Sequence, residues 1–353
     1  MEIKLEPIII VENLIKEFKV EKKREGLLGS IKDLFHCESY TIHALKGISF
    51  RVKEGEIVGC LGTNGAGKST LIKSMLGILE PTKGKISVNG QDPQEKRVKY
   101  AQMIGVVFGQ RSQLWWSLPV IESFKILKDM YKIDEKIYKR NMELFYEVIE
   151  DKEMLQKPVR QLSLGQRALC DIFAAFLHSP KIVFLDEPTI GLDIYMKNKI
   201  RVMIQRFNKE NNTTIILTTH DMGDVDALCE RVIIVDNGLV IYDDKIENLR
   251  NLNGKWKTIS VNYKQMEHFT EEDDINQYIF EFQNKIIDEY GENNVKISVK
   301  DKKLEIFIDE ENVELMDFIS SLRAEGTIQG LQIFDSSTES VIMKIYENQK
   351  REH

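Results

Sequence analysis

The sequence predicts a mostly parallel α/β core followed by a small α+β domain. Three observations carry this expectation. Short apolar runs alternate with helical segments up to about Arg250, which is the pattern of strands in a parallel sheet covered by helices. One of these runs, residues 56–61 (EIVGCL), leads straight into a glycine-rich loop and then a helical run. Near Asn253-Gly254 the texture changes, and the remainder of the chain has the size of a small separate domain. The chain has 353 residues, more than one average domain needs, so two domains are expected, 1–253 and 254–353.

From the N-terminus, residues 8–11 (IIIV) read as a strand. The charged stretch EKKREG at 21–26 and the adjoining GLLGSIKDLF read as an inserted loop with a short amphipathic helix. Residues 43–52 (HALKGISFRV) alternate as a strand does, and Glu54-Gly55 marks a turn. After the 56–61 strand, the helical run LIKSMLGIL is closed by Pro81 and Gly84. Residues 121–156 read as helical, with Leu144, Phe145, Val148 and Ile149 on one stripe. KIVFLDE, starting at Lys181, is a buried strand; then come a helix, the strand TTIILTTH, a helix and the strand RVIIVDNG. Beyond Asn253-Gly254, strands are expected at 259–263, 295–299 and 304–308. An acidic helix start lies at Glu271, Glu272, Asp273 and Asp274, a helix at 313–323, and a last strand and helix end the chain.

Composition narrows the function classes. The chain is 42% hydrophobic and 30% charged, as expected of a globular protein with a real core. Its net charge of -7 argues against nucleic-acid binding, which leaves a basic footprint. Cys37, Cys60, Cys170 and Cys229 are scattered, with no C-x-x-C pair, so neither a disulfide framework nor a zinc site is expected. The opening MEIKLEPIIIVENLIKEF has acids on both sides of its apolar run, unlike a signal peptide. No apolar run approaches the ~20 residues of a spanning helix, so any membrane role is expected to be peripheral.

Two motifs carry chemistry. Gly62, Thr63, Asn64, Gly65, Ala66, Gly67, Lys68, Ser69 and Thr70 match the phosphate-binding loop G-x-x-x-x-G-K-[ST]. The glycines let backbone N–H groups curl round a phosphate, and the adjoining helix points its positive end at the anion. Lys68 is expected to reach the β and γ oxygens and Ser69 to ligate Mg²⁺. The second motif, residues 182–187 (IVFLDE), delivers Asp186 at the C-terminal end of a buried strand, where α/β sheets bind ligands. Asp186 is expected to hold Mg²⁺ and Glu187 to polarise an attacking water as general base.

Between the motifs lies Leu162, Ser163, Leu164, Gly165 and Gln166, which resembles the L-S-G-G-Q signature of ABC (ATP-binding cassette) ATPases. The resemblance covers residues 8–250 and implies an ABC-type phosphate-loop core with a helical signature subdomain at about 111–170. It places further roles residue by residue. Gln110, after the strand IGVVF, matches the family's magnesium- and water-sensing glutamine. Asp193 matches the loop after the second motif, and His220 matches the switch histidine facing the γ-phosphate. Leu164 departs from the family's glycine, while Ser163 and Gly165, whose hydroxyl and amide face the γ-phosphate in the family, are kept. Phe18 falls where the family stacks an aromatic on adenine; a core role for Phe18, or stacking by Tyr40 instead, are the alternatives.

The resemblance implies a cassette that binds ATP and Mg²⁺, pairs head to tail with a second copy of itself, and hydrolyses ATP at the cytoplasmic membrane face to drive separate permease subunits. Trp115 and Trp116 lie where the family receives a short helix of the permease; core packing is the competing reading. GQRSQLWWSLP also resembles a bacterial subgroup of single-cassette exporter ATPases of the drug and antibiotic type. ABC proteins of translation carry two cassettes per chain, and those of DNA repair split the cassette with long coiled coil. Here each motif occurs once, with a short helical segment between them.

Overall fold

The computed structural model describes residues 7–21, 39–109, 111–251, 256–262, 272–291, 294–300, 303–324, 329–335, 338, 341–342 and 345–346. The helix expected within GLLGSIKDLF, the Asn253-Gly254 boundary and Gln110 lie outside them. The chain forms two compact units, Met1–Lys245 and Ile246–His353.

The first unit opens with β1 (Pro7–Glu21) and β2 (Ser39–Lys53), paired antiparallel. β3 (Ile57–Leu61) leads through the glycine-rich loop into α1 (Lys68–Met75), and β4 (Lys83–Val88) returns to pair with β1. Next come α2 (Arg97–Ala101), β5 (Ile104–Phe108), α3 (Val120–Tyr131) and α4 (Glu135–Tyr146). Two 3-10 turns precede α5 (Leu164–Phe176). β6 (Ile182–Asp186), α6 (Ile194–Asn211), β7 (Thr214–Thr218) and α7 (Met222–Leu228) succeed it, and the hairpin of β8 (Arg231–Asp236) and β9 (Leu239–Lys245) closes the unit.

The main sheet has the order β5-β6-β7-β3-β8-β9, parallel except for β9. Its central strands read as continuous apolar runs because both faces are covered: every residue of β3 and of β7 is buried. The smaller sheet β2-β1-β4 shares a core with α1, in which Ile9, Leu14, Leu45, Met75 and Phe184 meet. The helical part packs round Phe124, Phe145, Phe173 and Phe207. Phe145 and Phe173 stack at 4.0 Å, and Phe124 meets Phe173 edge-on at 5.0 Å. Each such ring contributes on the order of 2 kcal/mol through burial.

The helical stretch expected at 121–156 is divided. Lys132 takes a left-handed conformation that ends α3, and Asp134 caps α4 by accepting the Lys136 N–H at 2.8 Å. Phe145, Val148 and Ile149 are buried as the stripe predicts, though the last two lie beyond the helix. The run LIKSMLGIL leaves the helix at Met75, before Gly77 at φ 71.

The second unit holds α8 (Ile246–Asn251), β10 (Trp256–Asn262), α9 (Glu272–Tyr290), β11 (Val295–Lys300), β12 (Lys303–Asp309), α10 (Leu315–Ala324) and β13 (Gln329–Asp335). Its sheet is antiparallel, in the order β11-β12-β10-β13, over a core that includes Ile259, Ile286, Ile306 and Phe318. The contact-based division falls between Lys245 and Ile246. α8 belongs to this unit, where the Arg250 Nε–H donates to Thr338 Oγ1 at 3.2 Å.

Candidate functional site

The glycine-rich loop leaves the C-terminal end of β3. Gly67 begins α1 at φ 111, and a Cβ there would lie 2.7 Å from the Ala44 carbonyl oxygen, so both conformation and space demand glycine. Lys68 folds its ammonium into the loop, donating to the carbonyls of Gly62 at 2.6 Å and Thr63 at 3.0 Å. The turn between β8 and β9 braces the loop from outside: the Gly238 N–H donates to Ala66 O at 2.9 Å, and the Lys46 N–H to Gly238 O at 2.9 Å.

β6 and β7 deliver the acids. The Thr218 hydroxyl donates to Asp186 Oδ1 at 2.5 Å, while its backbone carbonyl accepts the Glu187 N–H at 3.0 Å. Glu187 stands at φ 52, outside the range that a residue with a Cβ ordinarily takes. Its Oε2 lies 2.7 Å from Nδ1 of His220, whose ring is exposed. Cys60, next to the loop, has its thiol pushed up to about 12 by burial and is a packing group.

One cavity of about 860 Å³ gathers these groups: Gly62, Thr63, Asn64, Gly65, Gly67, Lys68, Ser69, Thr70, Asp186, Glu187 and His220 all line it. Ala66 is buried beneath the loop. Ser69 and Asp186 are hard oxygen donors suited to Mg²⁺, which takes its remaining ligands from phosphates and water. Two donors do not make a protein-only metal cage, and no metal-holding cluster of His, Cys, Asp and Glu occurs among the described residues.

Phe18 is not part of the lining. It stands opposite Ile42 across the β1–β2 pair, half-buried, with the Lys16 ammonium 5.2 Å above its ring. Ile42 and His43 line the cavity instead, on the strand next to β1. Tyr40 is exposed and does not line it either.

The signature residues lie elsewhere. Ser163 caps α5: its hydroxyl accepts the Gln166 N–H at 3.2 Å, and Gln166 Oε1 accepts the Ser163 N–H at 3.0 Å. Gly165 is buried where α5 crosses α6; a Cβ would fall 2.5 Å from Met196 Cγ. Leu162 is buried and Leu164 is 52% exposed. Asp193 caps α6, accepting the Met196 N–H at 2.9 Å. None of the signature residues lines the phosphate-loop cavity.

A second cavity, of about 570 Å³, lies between the β5–α3 loop, α5 and the loop after Glu187. Trp116, Leu164, Arg167, Asp171 and Ile190 line it, and Ile190 lines the first cavity as well. Both Trp115 and Trp116 are exposed, against the core reading, and the Arg167 guanidinium lies 5.2 Å over the Trp116 ring. Sequence patterns do not point to Thr218, the Asn237-Gly238 turn or Asp171. The available signals were a hydroxyl ending a buried strand, an Asn-Gly pair between two strands, and a lone carboxylate in an apolar helix run.

A phosphate loop and a strand-end Asp-Glu pair sharing one cavity on a parallel sheet define a nucleotide-hydrolysing α/β protein. Residues 45–190 match the family described as ABC transporter. The ATP-binding protein NatA of Bacillus subtilis is 34% identical over 61% of this chain and 87% of its own length. The linearmycin resistance ATP-binding protein LnrL of the same organism is 34% identical over 56% of this chain and 63% of its own. Among solved structures, a dimeric bacterial ABC transporter cassette is 26% identical with a TM-score of 0.54, covering 67% of this chain and 98% of that one. The chain belongs to the ATP-binding proteins of ABC transporters: it is an ABC ATPase that powers a transporter.

Proposed function

We propose that this ATPase works as a head-to-tail pair of identical chains and drives an exporter through separate permease subunits. One observation carries the pairing: Ser163 and Gly165 lie off the cavity that holds Lys68, Asp186, Glu187 and His220. A second copy's Ser163 and Gly165 complete the cage round the γ-phosphate, as the dimeric relative suggests. Export is supported by LnrL, a resistance protein by its name. The expected site at the cytoplasmic membrane face fits a chain with no helix, among the described residues, long and apolar enough to cross a bilayer.

ATP enters with its phosphates against the 62–70 loop, where Lys68 exchanges its loop carbonyls for β and γ oxygens. Ser69 and Asp186 would hold Mg²⁺, which supplies charge neutralisation of the triphosphate when bound. Glu187 takes a proton from the attacking water, and His220, held 2.7 Å from Glu187, meets the γ-phosphate. Gln110 is proposed to sense the same group, and adenine to rest near Ile42 and His43 rather than on Phe18. Trp115 and Trp116 are proposed to dock the permease.

The test is purification from native membranes, in detergent, of the tagged chain. Polytopic membrane proteins co-purifying in fixed proportion are the expected result. A chain recovered without integral partners, or bound to vesicles in the absence of any, contradicts the reading.

A further inference from the structure

Asp171 is only 7% exposed, in a stretch of α5 where Cys170, Ile172 and Phe173 are also buried. A carboxylate costs stability in such a place, and an apolar side chain would pack at lower cost. Its partners all come from the loop between β5 and α3. Oδ1 accepts the Ser112 hydroxyl at 2.9 Å and the Gln113 N–H at 2.9 Å, and the Asp171 carbonyl accepts Gln113 Nε2–H at 2.8 Å. Ser112 Oγ accepts the Leu114 N–H at 3.2 Å, so the loop is folded round this anchor. The next residues are tied as well. The Trp115 N–H donates to Ser123 Oγ at 3.2 Å, and Trp116 O accepts the Arg160 N–H at 3.1 Å. One turn before Asp171 on α5, Arg167 covers Trp116.

We propose that Asp171 is a positioning residue: it fastens segment 112–116 to the signature helix, so that the tryptophans and that helix turn as one body when ATP binds. Three hydrogen bonds from one loop to one helical residue make that residue the joint between them. Without the Asp171 carboxylate, Trp116 keeps its stacking on Arg167 and its backbone bond to Arg160, but the loop loses the bonds from the Ser112 hydroxyl and the Gln113 N–H and keeps only that of Gln113 Nε2–H to the Asp171 main-chain carbonyl. This inference rests on ATP binding in the phosphate-loop cavity and does not require a permease.

The test uses the full chain with Trp256→Phe, so that Trp115 and Trp116 alone emit. ATP affinity is read by calorimetry and the ATP-induced change in emission and anisotropy by titration. In the parent, ATP is expected to change the tryptophan signal. D171A is expected to lose at least half of that change while its ATP affinity stays within twofold. D171N, which keeps an acceptor oxygen, is expected to restore it. Should D171A fail to fold, the double variant S112A/Q113A decides, since it removes two of the three bonds from the loop side; a clear loss of response is expected there too. A full response in D171A or in the double variant overturns the proposal, as does a D171N no better than D171A. ATP binding by the parent with no tryptophan change overturns this inference alone, whereas a parent that binds no ATP overturns the site reading with it.

Discussion

Glu187 combines an unfavourable backbone with a defined neighbourhood. A left-handed residue with a Cβ costs on the order of 1–3 kcal/mol. Here it is held by the bond from its N–H to Thr218 O and by the Gly109 N–H donating to Asp186 O at 2.7 Å. The Asp-Glu pair was legible because the motif is local in sequence; Thr218 was not, because its contact with Asp186 spans two strands. Asp171 gives a residue-scale prediction. Burial pushes its carboxyl from 3.8 up to about 6, against the hydrogen bonds from Ser112 and Gln113 and the attraction of Arg167. Arg111 and Arg167 are the charged groups that line the cavity with it. Between about pH 4 and 6 the folded chain keeps a proton that the unfolded chain has released, so this contribution to stability is lost as pH rises through 6. The loss is on the order of 3 kcal/mol. D171N cannot ionise, so its stability relative to the parent should rise from pH 4.5 to 7.5. Urea melts of both proteins at those pH values check this, and a gap that does not change with pH contradicts it.

At the scale of elements, the sequence patterns located the parallel strands of the main sheet because these are buried and each is a short apolar run. They underestimated β1, which runs from Pro7 to Glu21 through polar residues, because its continuation depends on pairing with β2 rather than on its own composition. The β8–β9 hairpin was missed for the same reason: β9 (LVIYDDK) is half-exposed and polar at its end. Phe18 fits the family's adenine position in the sequence; it pairs with Ile42 across β1 and β2, and of the two it is Ile42 that lines the cavity. The β5–α3 loop supports an interface prediction. Trp115 and Trp116 are exposed and lie outside the lining of the phosphate cavity. Alanine at one or the other should weaken permease docking by ~2 kcal/mol or more, because buried interface tryptophans are frequent hot spots. ATP affinity should stay at the parental value. Membrane fractionation with the permease co-expressed reads the first and calorimetry the second; normal docking of both variants contradicts the interface.

For the whole molecule, the change of texture near Asn253-Gly254 predicts two domains; the chain divides into two compact units at Lys245/Ile246, with α8, which carries no motif, assigned by its tertiary contacts. All groups that line the phosphate-loop cavity precede Lys245. A chain ending at Lys245 is therefore expected to fold and to bind ATP with parental affinity; an insoluble fragment, or a folded one without affinity, would show that residues 246–353 are needed for the site. The central claim is that Glu187 drives hydrolysis within a head-to-tail pair that ATP closes. Glu187→Gln keeps the size of the side chain and removes the base, which should lower turnover by ~10²–10⁴-fold while ATP still binds. Sedimentation of this variant with MgATP, alongside its hydrolysis rate, is the most direct measurement. A stable ATP-bound dimer with turnover nearly lost is the predicted result. A variant that hydrolyses ATP at the parental rate, or that binds ATP and remains a monomer, would contradict the claim.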